Sequence, residues 1–203
     1  MPAQSALAVA FCTHCYIGKA GGVWQGLWGR FSSLKRTIMI TRFRPSVEKN
    51  IQAKTIKVVK KISAPVDKVW NAWTKAEQLD KWWGPKPWRA VTKSMDFKEG
   101  GSWLYKMAGP NGEAQWDKVV FEQINAPNSF SATDLFVDEN GNKSGDMPKT
   151  HWQNKFVSST GGTTIECTLS FDSKEDMQKI LDTGFEEGFS IGLEQLEDLI
   201  ADE

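Results

Sequence analysis

The chain has 203 residues, of which 40% are hydrophobic and 25% are charged, so it has the composition of an ordinary globular protein with one domain, with or without an appendage. No stretch approaches the ~18 apolar residues that span a bilayer, which excludes an integral membrane protein. Lys and Arg together number 25, as do Asp and Glu, and no nucleic-acid recognition motif is visible, so no nucleic-acid partner is expected.

Residues 1–50 differ from the remainder of the chain. They carry seven basic residues and one acid, whereas the remainder carries 18 basic residues and 24 acids. We predict a basic, poorly ordered extension over 1–50, and three explanations for it stay open. It is translated upstream sequence with Met39 as the true start, an Arg-rich targeting segment over 1–44, or a basic arm for an acidic or membrane surface. Unless that segment directs the chain to an organelle, we expect a cytoplasmic protein.

The cysteines predict neither a disulfide framework nor a metal site. Cys12 and Cys15 have the CxxC spacing, but only Cys167 and His151 remain as further zinc ligands, and these are not paired in the sequence. No buried strand precedes Cys12, as a thioredoxin-like redox motif would need. Accidental spacing is therefore favoured over a metal or redox site, and no cofactor is predicted.

The body of the chain begins with a strand and two short helices. Residues 51–62 are rich in β-branched side chains that alternate onto one face, and Pro65 then suits the first turn of a helix. Apolar residues recur at helical spacing as far as Trp73. Thr74 is expected to cap the second helix with Glu77 as its capping-box partner. The Gly-Pro pair at 84–85 ends this helix.

A run of strands follows, and a helix closes the chain. The strands are predicted at 88–97, 102–108, 113–124, 128–137, 150–158 and 163–171, with Cys167 on the buried face of the last. One long helix is expected from Ser173 to about Ala201. Gly184, Gly188 and Gly192 lie on one side of it, although each glycine costs about 1 kcal/mol in a helix interior. They therefore indicate close packing on a sheet or room for a ligand.

Four stretches carry a family resemblance. They are 62–77 with the Trp-Trp-Gly-Pro run at 82–85, then 96–103, 107–112 and 184–196. In this order they resemble the START-like (SRPBCC) superfamily, and most closely the branch similar to the C-terminal domain of Aha-type activators of the heat-shock-protein-90 ATPase. The resemblance covers about residues 51–202. It implies a START-like domain over 51–203 with an α+β helix-grip fold, in which an antiparallel sheet wraps around a long C-terminal helix with a cavity between them.

The resemblance implies a non-catalytic module that binds an apolar small molecule in that cavity. Ten Trp and eleven Phe against two His also favour aromatic surface over histidine chemistry. Because such pockets are mostly apolar with a few polar groups, the candidate pocket residues are Trp83, Trp103, Tyr105, Trp116, Asp134, His151, Trp152, Phe185 and Phe189. The alternative is that these aromatic side chains fill the core.

Two other functions stay open. The resemblance also suggests a co-chaperone that activates the heat-shock-protein-90 ATPase, although residues 1–50 are too short to supply the N-terminal domain that such activators carry. The second is a cyclase- or hydrolase-type enzyme on the same fold, with His151 and Asp134 as its candidate groups. No nucleophile–base pair or phosphate loop supports catalysis, and the fold alone does not establish it.

Overall fold

The structure is a computed structural model that describes residues 44–202. The hypotheses on the Cys12–Cys15 spacing and on residues 1–43 lie outside the described residues. Within the described range the elements are β1 (Ser46–Asn50), β2 (Thr55–Ile62), α1 (Val66–Thr74), α2 (Ala76–Trp82), β3 (Arg89–Met95), β4 (Ser102–Ala108), β5 (Ala114–Asn125), β6 (Ser129–Val137), β7 (Thr150–Ser159), β8 (Gly162–Ser170), α3 (Lys174–Asp182) and α4 (Phe185–Asp202).

The eight strands form one sheet in the order β1-β2-β8-β7-β6-β5-β4-β3, and every neighbouring pair is antiparallel. The chain crosses from β2 to the opposite edge through α1 and α2, and then returns strand by strand to β8. The helices contact one face of the sheet, which we call the inner face. This arrangement confirms the predicted α+β helix-grip fold.

The sheet begins earlier than the sequence indicates. Residues Ser46–Asn50 form an edge strand that pairs with β2, whereas the predicted domain boundary lies at residue 51. Residues 51–54 form the turn between the two strands, with Lys54 at a φ of 55°. The ammonium group of Lys49 on β1 also lies 2.5 Å from a carboxylate oxygen of Glu186 at the start of α4. The last residues of the predicted extension therefore belong to the folded domain.

The N-terminus of α2 is not capped by the residue that the sequence predicts. Thr74 does not cap α2, because its hydroxyl donates a hydrogen bond to the backbone carbonyl of Trp70 one turn back in α1. Lys75 occupies the N-cap position of α2, without a side-chain cap. The two helices are therefore almost continuous in sequence, and the change of direction occurs at the extended backbone of Lys75.

The C-terminal segment forms two helices where the sequence predicts one. Ser173 caps α3 as expected, since its hydroxyl accepts a hydrogen bond from the backbone N–H of Asp176. The helix then stops at Thr183, and Gly184 adopts a φ of 79°, a left-handed conformation that ends helices and that glycine adopts without strain. Only α4 therefore corresponds to the long helix of the fold.

The core lies between the inner face and the helices. Each strand contributes alternate side chains, as the twofold repeat of a strand requires; Ile165, Cys167 and Leu169 of β8 are fully buried. Cys167 is thus a buried side chain. From the helices, Trp70 contacts the ring of Phe156 edge-to-face at a centroid distance of 5.4 Å, an arrangement that adds to the stabilisation from buried apolar area.

Candidate functional site

A pocket lies between the inner face of β4–β7 and the start of α4. It has a volume of about 170 Å³. A much smaller inner pocket of about 30 Å³ continues from it towards α1 and α2, and Trp83, Asp134 and Trp152 line both. Neither space is fully enclosed.

The turn after α2 places one tryptophan in the core and its neighbour in the pocket. The indole N–H of Trp82 donates to the carbonyl of Ala72, and this side chain is almost fully buried. The following Trp83 is half-buried and lines the pocket. Gly84 comes next because a Cβ there would lie 2.5 Å from the Cα of Arg89. The close approach of the two backbones therefore fixes the position of Trp83.

A hydrogen-bonded group of aromatic side chains forms the wall on β4. The indole N–H of Trp83 donates to the hydroxyl of Tyr105 at 3.0 Å, and the ring of Trp103 stacks on that of Tyr105 at 3.9 Å between centroids. Trp103 in turn donates to the hydroxyl of Thr92, which donates to Asp80 of α2. These hydrogen bonds restrict the orientations of the Trp83, Trp103 and Tyr105 rings.

The opposite wall comes from α4 and β7. Trp152 contacts Phe185 and Phe189 at centroid distances of 5.9 and 5.3 Å, and the two phenylalanines stack on each other. Gly184 and Gly188 also line the pocket. Gly192 instead faces the turn after α2, where a Cβ would meet the carbonyl of Trp83 at 3.5 Å. Gly184 and Gly188 therefore border the pocket, whereas Gly192 allows close packing of α4 on the turn after α2.

Two carboxyl groups lie in this aromatic surrounding. Asp117 is directly opposite Tyr105 on the neighbouring strand, and Asp134 is its diagonal neighbour on β6. Burial raises the pKa of Asp134 to about 7. Burial, and then the charge of Asp134, raises the pKa of Asp117 well above its usual value. Burial, followed by the charges of both acids, also raises the pKa of the Tyr105 phenol.

Three buried polar atoms of the inner pocket have no hydrogen-bond partner. They are the indole N–H of Trp73, Oδ1 of Asp134 and Oδ1 of Asn154. A buried polar group without a partner costs free energy, typically about 1–3 kcal/mol, and native structures contain few of them. Because three such atoms line one pocket, its polar groups are less completely hydrogen-bonded than those in the rest of the core.

Two of the predicted pocket residues lie on the outer face of the sheet. Trp116 is partly exposed, and the ammonium groups of Lys93 and Lys106 lie over its ring at 5.5 and 5.6 Å. His151 contacts the hydroxyl of Thr133 through Nδ1. Because each side chain points away from the inner face, neither residue belongs to the pocket lining, and His151 cannot act with Asp134 on one substrate.

The structure adds two residues to the predicted set. Asp117 and Asn154 are both buried and line the pocket. Asn154 shares a strand face with Trp152 in the sequence, so alternation already indicated its position. Asp117 shares a face with Val119 and Phe121, and this apolar alternation was the signal that could have revealed it.

Residues 44–202 offer few other kinds of site. They contain no group of three or more His, Cys, Asp or Glu side chains that could hold a metal ion. No helix of this part of the chain is long and apolar enough to cross a membrane.

Comparisons with known proteins give several solved relatives and one family. The chain resembles a protein of Arthrobacter aurescens (32% identity, 78% of this chain and 92% of that one, TM-score 0.74). It also resembles a protein of Mycobacterium smegmatis (31%, 76% and 94%, TM-score 0.71). A protein of Staphylococcus epidermidis is similar at 29% identity, with 77% and 94% covered and a TM-score of 0.68.

No curated protein matches the sequence. The profile of one family matches residues 63–201, which include α1 to α4 and the strands that line the pocket. The chain therefore belongs to the family described as activator of Hsp90 ATPase homolog 1-like proteins, within the START-like fold.

Proposed function

We propose that this chain is a non-catalytic binding module for an apolar small molecule, held in the pocket between the inner face of the sheet and α4. The observation that carries the proposal is an open, aromatic-lined pocket of about 170 Å³, similar in size to the apolar cavities of roughly 150 Å³ that bind benzene-sized ligands. Protein cores are close-packed, with few voids larger than a water molecule. An apolar space of this size therefore favours a binding site over simple core filling.

The architecture around the pocket supports the same function. Rings on β4, β7 and α4 supply apolar contact area, while the Trp83–Tyr105 hydrogen bond fixes two of them. A ligand that covers these rings removes apolar surface from water at roughly 25 cal/mol per Å². Because the Trp83–Tyr105 hydrogen bond already orders these two rings, a ligand bears less of the cost of ordering side chains.

Binding of N-phenyl-1-naphthylamine, a neutral apolar fluorophore, tests the proposal. Its emission should rise on titration with the full chain. The variant Gly188→Leu places a branched side chain in the pocket and should weaken binding at least tenfold, about 1.4 kcal/mol. Because leucine is a better helix former than glycine by up to about 1 kcal/mol, loss of binding with an unchanged or higher melting temperature separates pocket filling from unfolding.

Glu187→Leu is the matched control, since it introduces the same side chain at the exposed neighbouring position on α4. It should leave the affinity within about twofold. Equal affinities for Gly188→Leu and the unaltered chain would contradict a site at this position. Native mass spectrometry of the purified chain, which should reveal a co-purified small molecule, provides an independent measurement.

A second candidate is activation of the heat-shock-protein-90 ATPase, and membership of the family that carries this description favours it. A pull-down with the chaperone, followed by an ATPase assay, tests this function separately. Retention with increased hydrolysis would support it. Absence of retention at micromolar concentrations of both proteins would contradict it without affecting the small-molecule proposal.

A further inference from the structure

We infer that the ligand of this pocket is an organic cation, an amine with an aromatic or other apolar body, whose ammonium group lies beside the carboxyl groups of Asp117 and Asp134. The inference rests on the proposed binding function and adds the chemical class of the ligand. Three features of the pocket carry it. These are the incompletely paired carboxyl groups, the absence of basic side chains from the described lining, and the aromatic rings around them.

The carboxyl groups have few of the partners that buried acids normally have, since the backbone of Leu135 hydrogen-bonds to Asp134 and leaves one of its oxygens unpaired. Asp117 is 6% exposed, and no described residue donates a hydrogen bond or an ion pair to it. Oδ1 of Asp134 is buried and also has no hydrogen-bond partner. Because a buried charge is stable only when it is paired and hydrogen-bonded, the two groups form an acceptor site that a positively charged group would complete.

Among residues 44–202, no side chain of the pocket lining supplies that positive charge. Among the described residues, the lining of the two pockets contains no Lys, Arg or His. The nearby basic residues of β4 and β5, Lys106 and Lys118, follow the opposite phase of their strands and point away from Tyr105 and Asp117. By contrast, the buried Lys60 elsewhere on the inner face pairs with Glu197 at 2.7 Å. Asp117 and Asp134 thus differ from Glu197, a buried acid that has a basic partner.

The remaining lining suits an ammonium group and the body that carries it. Trp83, Trp152 and Phe189 contact one another around the pocket, and aromatic faces attract cations, most strongly when both are removed from water. A primary ammonium has three N–H donors. Asp117, Asp134 and Oδ1 of Asn154 provide three acceptor groups, two of them in the inner pocket.

One feature opposes a cation. The start of α4 borders the pocket, and a helix N-terminus carries about half a positive charge. Glu186 and Glu187 lie in that first turn and offset it. A bound ammonium group stabilises the ionised form of these acids, and a single full negative charge outweighs half a positive one, so the balance favours a cation and disfavours an anion. The competing possibility is that the acids stay protonated and donate hydrogen bonds to a neutral ligand, which the following experiment distinguishes.

Three probes of one shape test the inference by isothermal titration calorimetry at pH 7.5 with the full chain. They are 2-naphthylmethylamine, which is cationic, 2-naphthylmethanol, which is neutral, and 2-naphthoate, which is anionic. We expect the amine to bind about tenfold or more tightly than the alcohol, as charge-assisted hydrogen bonds predict, and the carboxylate to bind most weakly. Equal affinity of amine and alcohol, or tighter binding of the carboxylate, would overturn the inference.

Variants assign the preference to the two acids. Asp117→Asn/Asp134→Asn should abolish the tenfold advantage of the amine while the alcohol still binds, because the volume of the pocket is kept. Glu187→Gln removes an exposed carboxylate near the mouth and should keep the advantage. An advantage that survives in the double variant would also overturn the inference.

The probes distinguish failure of the cation inference from failure of the proposed binding function. Binding of the alcohol and of N-phenyl-1-naphthylamine without preference for the amine refutes only the cation. Failure of all four probes to bind refutes both proposals.

Discussion

The ammonium group of Lys60 on β2 lies 2.7 Å from a carboxylate oxygen of Glu197 on α4, and the two side chains are only 1% and 6% exposed. The pair connects the second strand of the sheet to the C-terminal helix inside the core. Oε1 of Glu197 has no partner, so its charge depends on Lys60. Such pairs contribute little net stability, but the loss of one partner leaves a buried charge uncompensated.

Replacement of this lysine should therefore destabilise the domain strongly. We expect Lys60→Met to lower the free energy of unfolding by about 3–5 kcal/mol at pH 7. The double variant Lys60→Met/Glu197→Leu should recover most of that loss, since no charge remains to be buried. Urea denaturation monitored by tryptophan fluorescence measures both. A single variant within about 1 kcal/mol of the unaltered chain would show that the pair is solvated.

Two glycines beside Trp83 should respond in opposite directions to the same substitution. At Gly84 a Cβ meets backbone atoms of Arg89 and Ala90 at 2.5–2.6 Å, so Gly84→Ala should cost about 1–3 kcal/mol through overpacking. At Gly192 the nearest atom is the carbonyl oxygen of Trp83 at 3.5 Å, which is ordinary contact. Gly192→Ala should therefore stabilise α4 by up to about 1 kcal/mol. Thermal unfolding compares the two variants, and a neutral Gly84→Ala would contradict the close approach.

The stability of the domain should fall as the pH rises from about 4 to 8. Burial raises the pKa of Asp134 from 3.8 to about 7, so the folded state holds a proton that the unfolded state releases over this range. The resulting loss of stability is on the order of 4 kcal/mol. The titratable groups that face it are Asp117 on β5 and Tyr105 on β4, both with raised pKa values. The described lining from β7 and α4 contains no titratable side chain.

The variant Asp134→Asn assigns this pH dependence. It should unfold at higher urea concentration than the unaltered chain at pH 8 and show a smaller difference between pH 5 and pH 8. Glu113→Gln is the control, since hydrogen bonds from Asn111 lower the pKa of this surface carboxyl, and it should leave the slope between pH 5 and 8 unchanged. An identical pH profile for Asp134→Asn would mean that Asp134 is ionised throughout.

Cys167 should be unreactive in the folded protein. Burial raises the pKa of its thiol well above the usual value, and only the thiolate attacks thiol reagents. In a Cys12→Ser/Cys15→Ser background, we expect modification by 5,5′-dithiobis(2-nitrobenzoate) to proceed at the rate of global unfolding and to accelerate with urea in parallel. Rapid modification in native buffer would reveal local opening of β8.

Much of the sheet was predictable because its strands alternate cleanly. β4 follows the predicted bounds, and β8 differs by one residue at each end. The break at Gly184 was missed because a glycine at every fourth position indicates one helix face, while left-handed backbone at one of them depends on how α3 and α4 pack. Lys60 was missed for a related reason. It occupies an inward position of β2, but its partner lies 137 residues away, and periodicity cannot indicate such a pair.

The predicted site differs from the observed one because it follows residue type, whereas the alternation of side chains along each strand decides which face a residue occupies. Successive strand residues point to opposite faces, so His151 and Trp152 could not both line the pocket. On β5 the apolar alternation of Val119 and Phe121 places Asp117 inward and Trp116 outward. The inward position of this strand segment holds the acid Asp117, and the aromatic Trp116 lies on the other face. Most of the aromatic lining and Asp134 are thus predictable from residue type, whereas Asp117, the second acid, is not.

The position of β2 has a practical consequence for anyone who shortens the chain. The family match begins at residue 63, immediately after β2 ends. A fragment cut at that boundary would lose Ile56, Val58 and Lys60 from the core and would leave the whole length of β8 as an unpaired sheet edge, a template for aggregation. Expression of this protein should therefore include β1 and β2, because the limits of sequence similarity are narrower than the limits of the folding unit.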